Sequence, residues 1–326
     1  MPMETIQGLT NWRLTVRREE GSVVILRALS CDKRAVLPDT LFGLPVTALS
    51  DHALAAGAPG VEGAEVLVLG GAASEDWDNR NIRELTLPRG LKSIGDYALM
   101  NLRAMETLRF CDELRSIGSA AFMNCRSFSK IELTRTAPTQ GPGLASIVRN
   151  LQQELDVMIR RTDGNTLRLI FPEYIENYTE NTPAHHFELK ISGGGYAYHS
   201  VFRDKRLQLS DYDALWPDYI AAEHDEDSAL RLAYWRLRYP AELSDGARQR
   251  YETHLRRKLG QALRFALETE DMQGLRRLLP LGEQAPEILD AALEEARARR
   301  LTEATALLLE KRRARPGAGR AKTWEL

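Results

Sequence analysis

A 23-residue pattern is written twice in succession from Ile82 to Ser127 and opens a third time at Phe128. The two copies share Leu85/Leu108, Leu91/Leu114, Ser93/Ser116, Ile94/Ile117, Gly95/Gly118, Ala98/Ala121, Met100/Met123, Asn101/Asn124 and Arg103/Arg126, nine identities in 23 positions. A fixed period of this length is the signature of a solenoid, because one unit cannot bury its own apolar face and must stack on its neighbours. Leucines alternating along the strand of each unit then point into the stack, and the residues between them face outward. Gly95 and Gly118 fit turns where a Cβ would clash, and Ala98 and Ala121 fit close backbone packing. Asn101 and Asn124 offer amides to turn backbone groups that no ladder reaches.

The stretch LPRGLKSIGDYALMN, with its fuller second form LRSIGSAAFMNC, resembles the BspA-like (Treponema-type) leucine-rich repeat. Ala35 to Leu54 reads as an earlier unit with a longer spacer, so the resemblance covers about 35 to 134 around an irregular insertion at 55–81. Such proteins commonly bind through their concave sheet face, so the resemblance implies a binding role for the residues between the inward leucines. These partner-binding candidates are Arg34, Glu84, Thr86, Thr107, Arg109, Lys130 and Glu132. Cys125 reads as a small buried hydrophobe.

Around the array the chain divides by composition. Residues 1–34 hold two strands, Trp12 to Val16 and Val23 to Leu29, expected to form a hairpin that caps the solenoid over 35–135. The turn formers TRTAPTQGPG end the array at about Thr134, and 136–209 reads as a small α+β region with a helix, a hairpin around Asp163-Gly164-Asn165 and a strand at His186 to Ile191. From 210 to 315 the periodicity is helical. Ser210 is expected to cap a helix running to Ala222, and Leu243 to open one long helix with Tyr251, Leu255, Leu259, Leu263 and Leu267 on one stripe. The last helices have a weak ankyrin-like cadence, and 316–326 is a basic tail. The fold class expected is α+β, a short leucine-rich-repeat β solenoid followed by a small α+β region and a helical domain.

A net charge of −2 with 43% apolar and 28% charged residues favours neither nucleic acid nor an anionic membrane as main partner. Charged residues from Glu4 to Glu19 interrupt any signal-peptide core, no membrane-length apolar run occurs, and three cysteines without a zinc or redox spacing suit reduced thiols, so a cytoplasmic location is expected. A secondary candidate cluster, His185, His186, Tyr196, Tyr198, His199 and Arg203, raises the alternative of a metal-dependent or other enzyme at 173–206. Adjacent His185 and His186 would point to opposite faces of a strand, which disfavours a shared ligand. Residues 196–206 and the basic tail raise a further alternative, nucleic-acid binding by stacking and charge. No catalytic constellation, metal set or cofactor motif is legible. The leading expectation is therefore a non-catalytic intracellular protein-binding scaffold using the sheet face and the seam with the C-terminal region.

Overall fold

The computed structural model describes residues 10–61, 64–70, 77–136, 141–181, 186–282 and 286–313. The chain forms two compact units, 1–223 and 224–326. The first opens with β1 (Trp12–Glu19) and β2 (Ser22–Leu29), an antiparallel pair turned at Gly21, whose φ of 76° a side chain would resist. Then come β3 (Arg34–Val36), β4 (Thr40–Leu41), β5 (Leu44–Leu49), β6 (Glu65–Leu69), β7 (Glu84–Thr86), β8 (Ser93–Ile94), β9 (Thr107–Cys111), β10 (Ser116–Ile117) and β11 (Lys130–Arg135). Helix α1 (Gly143–Arg149) leads to β12 (Leu155–Arg161) and β13 (Thr166–Phe171).

Each repeat contributes one strand to each of two sheets. The first sheet runs β10-β8-β5-β2-β1-β6, and the second runs β13-β12-β11-β9-β7-β3. The 23-residue period keeps register: Leu85 lies opposite Leu108, and Leu108 opposite Ile131, all fully buried. The hairpin joins the first sheet, β2 pairing in parallel with β5 and β1 carrying β6 on its far side. A Cβ on Gly118 would lie 2.4 Å from the backbone nitrogen of Asp96, and one on Gly95 2.5 Å from that of Asp51, which is why these turns require glycine. The aspartates complete the same turns, Asp51 accepting from the Asp96 N–H at 2.8 Å and Asp96 from that of Ser119 at 2.7 Å. Asn101 and Asn124 serve differently from expectation. Both take left-handed φ values of 65° and 61°, and the Asn124 amide donates to the Asn101 side-chain oxygen at 2.9 Å, so they bond each other across coils.

The parallel ladder runs past 134. After the turn formers, α1 replaces the short strand of the first sheet, and β12 pairs in parallel with β11 in full register, Lys130 opposite Asp156 through Arg135 opposite Arg161. The antiparallel β12–β13 pair, the expected hairpin at 163–165, therefore closes the second sheet. Beyond it lie the β14 (Ile175–Asn181) and β15 (His186–Ser192) hairpin, α2 (Tyr196–His199), the β16 (Phe202–Arg203) and β17 (Arg206–Leu207) pair, α3 (Leu209–Ala214) and α4 (Trp216–Ala221).

The second unit holds α5 (Glu226–Arg238), α6 (Asp245–Arg257), α7 (Leu259–Glu268), α8 (Met272–Leu278), α9 (Pro286–Ala298) and α10 (Thr302–Arg313). Asp225 caps α5 and Ser244 caps α6 through their side chains. Two helix expectations need correction. Ser210 caps nothing, since Gln208 is the N-cap of α3 and a second helix starts at Trp216. The long helix breaks at Lys258, where φ −109° and ψ 25° leave the helical region two residues before Gly260, a weak helix former. The turns before α8 and α10 repeat a left-handed residue at Glu270 and Arg300, consistent with tandem helical hairpins.

Candidate functional site

The outward side chains of the second sheet form one continuous chain of opposite charges. Arg34 and Glu84 face each other across β3 and β7, with Nε and Oε1 3.1 Å apart. Glu84 also takes Arg109 diagonally at 2.7 Å, Arg109 reaches Glu132 directly opposite at 3.3 Å, and Glu132 takes Arg160 diagonally at 2.7 Å. Direct and diagonal neighbours are the distances over which cross-strand pairs interact. The parallel register repeats the outward position on every strand, so alternating signs link into a line spanning five strands.

Electrostatics follow this geometry. The Arg109 guanidinium holds the Glu84 carboxyl below its usual range, with Arg34 adding to the effect. Partial burial pushes the Glu132 carboxyl up, but its bonds from Arg160 and Arg109 outweigh that and leave it lowered. Burial alone would lower Arg109, yet the two carboxylates raise it. Glu84, Arg109 and Glu132 keep only 27%, 35% and 24% of their side-chain surface exposed, whereas Arg34 at one end keeps 83%. The centre of the face is thus an ordered, mutually neutralised line.

Most of the expected face residues come together here. Arg34 and Lys130 are exposed, and Glu84, Thr86, Arg109 and Glu132 are half-buried. Thr107 departs from expectation: flanked in register by the longer Glu84 and Lys130, it is only 7% exposed and offers a partner almost nothing. Arg160 completes the line and was not foreseen, nor was the neighbouring Arg168–Asp156 pair with Nε 2.7 Å from Oδ1. The signal was Val157 and Ile159, which repeat the alternation of Ile131 and Leu133 at a spacing of 26 rather than 23.

The secondary cluster scatters. His185 lies outside the described residues, and His186 begins β15. Tyr196 is 44% exposed, while Tyr198 and His199 on the same short helix are buried. Both ring nitrogens of His199 meet backbone carbonyls, Nδ1 at 2.8 Å from Val148 and Nε2 at 2.9 Å from Pro172, and its ring packs edge-on against Tyr174 and Phe171. Burial lowers its pKa against the pull of those carbonyls. Tyr198 packs on Tyr212 and Tyr219, its hydroxyl has no partner among the described residues, and burial pushes its pKa up. Arg203 turns outward to Asp211 at 2.8 Å. Among the described residues no group of three or more His, Cys, Asp or Glu is placed to hold a metal ion, and no helix is long and apolar enough to cross a membrane. Cys111 and Cys125 are buried, their thiols pushed up to about 11 and about 12 by desolvation, and are poor nucleophiles there.

The model of the BspA type leucine rich repeat region matches residues 74–153. No curated protein matches the chain. Among solved structures, a T. pallidum leucine rich repeat protein is similar at 20% identity over 37% of this chain and 50% of that one, with a TM-score of 0.27. A leucine rich cell surface protein from Faecalibacterium prausnitzii A2-165 is similar at 15% identity over 48% of this chain and 36% of that one, with a TM-score of 0.28. The matches thus span half of the first protein and about a third of the second.

Proposed function

With residues 74–153 a BspA-type leucine-rich-repeat region as the premise, we propose that the chain is a non-catalytic binding module that presents its second sheet to a protein partner. The observation that carries this reading is the five-strand charge line from Arg34 to Arg160. Its charged groups are already ordered by one another, so a partner meeting them loses less side-chain entropy than it would on a free surface. Alternating sign also makes the face selective, because a misregistered partner meets like charges. The three unpaired cysteines suit a reducing compartment, and the cytoplasm is the location proposed.

Reversing Arg109 and Glu132 together, as Arg109→Glu with Glu132→Lys, tests the reading. Pull-down from the source cells followed by quantitative mass spectrometry is expected to show partners of the unaltered chain depleted, with the circular-dichroism spectrum retained. Recovery of the same partners by the folded double variant would show that this face is not the binding surface.

A further inference from the structure

One identity of the repeat has no part in the core or in the charge line. Arg103 and Arg126 recur at the 23-residue spacing, and stepping back by the same 23 leads to Arg80. Arg80 lies in the short 3-10 turn Asn79–Asn81, so residues 78–83 are the tail of a coil that starts within what reads as irregular insertion. The backbone supports this alignment: the N–H groups of Ile82, Met105 and Phe128 bond the carbonyls of Asn79, Leu102 and Cys125. The three arginines are exposed on successive coils, with rungs about 4.8 Å apart. Arg80, Arg103, Asn101 and Ala56 line an open cleft of about 360 Å³.

The residue two places before each arginine distinguishes the rungs. Before Arg80 it is Asp78, whose carboxylate lies 3.1 Å from the Arg80 Nε. Before Arg103 and Arg126 it is Asn101 and Asn124, neutral amides of nearly the same size that bond each other. Among the described residues neither Arg103 nor Arg126 has an acidic partner. Among the described residues a carboxylate is thus seated at the first rung and none at the guanidinia of the next two.

We propose that the Arg80–Arg103–Arg126 column is a docking site for an acidic peptide segment, whose carboxylates take at Arg103 and Arg126 the place that Asp78 takes at Arg80. Guanidinium and carboxylate match as paired donors and acceptors, which suits arginine to this task better than lysine. Asn101 and Asn124 add amide groups that suit a peptide backbone. Nucleic acid fits less well. Three charges over two coil steps are few beside the several phosphates such proteins neutralise. The site lies on the turns leading into the strands and does not depend on the sheet-face reading.

The test is fluorescence anisotropy of the full chain with a labelled hexaglutamate peptide, beside hexaglutamine and a single-stranded oligonucleotide of equal length. Hexaglutamate is expected to bind best and to be released by salt. Asn101→Asp keeps the acceptor that Asn124 uses while placing an internal carboxylate beside Arg103, and is expected to weaken binding roughly two- to fivefold. Asp78→Asn, which releases Arg80, is expected to strengthen it by a similar factor of about two to five. Arg103→Glu with Arg126→Glu is expected to abolish binding without moving the melting temperature, since both side chains are exposed. Equal binding of hexaglutamine, tighter binding of the oligonucleotide, or hexaglutamate binding unchanged in the arginine double variant would each overturn the proposal.

Discussion

Two regions of the first unit carry the polar residues that invite a functional reading, and they handle those residues in opposite ways. On the second sheet, Arg34, Glu84, Arg109, Glu132 and Arg160 stay at the surface and satisfy one another. Between Pro172 and Tyr212, His199 and Tyr212 are drawn inside and bond backbone carbonyls. The difference teaches which kind of polar group holds the fold and which is free to do something else. Losing a buried partner leaves a carbonyl unsatisfied at full desolvation cost, whereas surface pairs exchange readily with water.

The strongest test of that contrast is His199→Ala. It empties a ring-sized space and strips one of the Val148 and Pro172 carbonyls of the single N–H that the neutral ring donates, so thermal unfolding should show a loss of about 3 kcal/mol. Tyr212→Phe removes the bond to the Ile170 carbonyl, 2.6 Å long, and should cost about 1 kcal/mol in urea titration. Arg109→Ala sits at the centre of the line but is part-exposed, and should cost no more than about 1 kcal/mol. Tyr198→Phe should leave the melting temperature unchanged or slightly raised, because the deleted hydroxyl has no partner among the described residues. A larger loss for Arg109→Ala than for His199→Ala would reverse the comparison.

Acidity separates the regions again. His199 has a lowered folded pKa, so the unfolded chain binds the proton more readily and stability should fall as pH drops below 6.5, with a shallower slope in His199→Ala. Glu84 and Glu132 are also lowered, so their contribution is full above 4.5 and is lost only as pH falls through their folded values. Stability measured from pH 7.5 to 3 should therefore decline first for the buried histidine and later for the face.

Much of the fold was legible because it follows from period. The alternation of Leu85 with Leu87 set the inward side of the strands, and the recurrence of Gly95 and Gly118 marked coils stacked too closely for a Cβ. Where the period slipped, reading failed. The three extra residues between β11 and β12 hid the parallel pairing of the hairpin's first strand with β11, and with it the place of Arg160 in the line. The coil tail at 78–83 was hidden because Asp78 and Asn79 stand where later coils carry Asn101 and Leu102. Asn79 takes that core position by bonding Ser30, Ala28 and Leu54, which no apolar pattern reveals. Alternation also shows which side chains face out without showing that they pair, since pairing depends on register between strands. Closeness in sequence misled in the other direction, as Tyr196 is half exposed while Tyr198 and His199 are buried.

The central claim is that the face works through its pattern of charge. The most direct measurement inverts all five members at once: Arg34→Glu, Glu84→Arg, Arg109→Glu, Glu132→Arg and Arg160→Glu. Every ion pair of the line is retained with its sign exchanged, so the melting temperature should stay within a few degrees of the original, about the effect of 1 kcal/mol or less. The account predicts that partners captured by the original chain are lost in quantitative pull-down. A folded, inverted variant that captures the same partners with equal yield would contradict it.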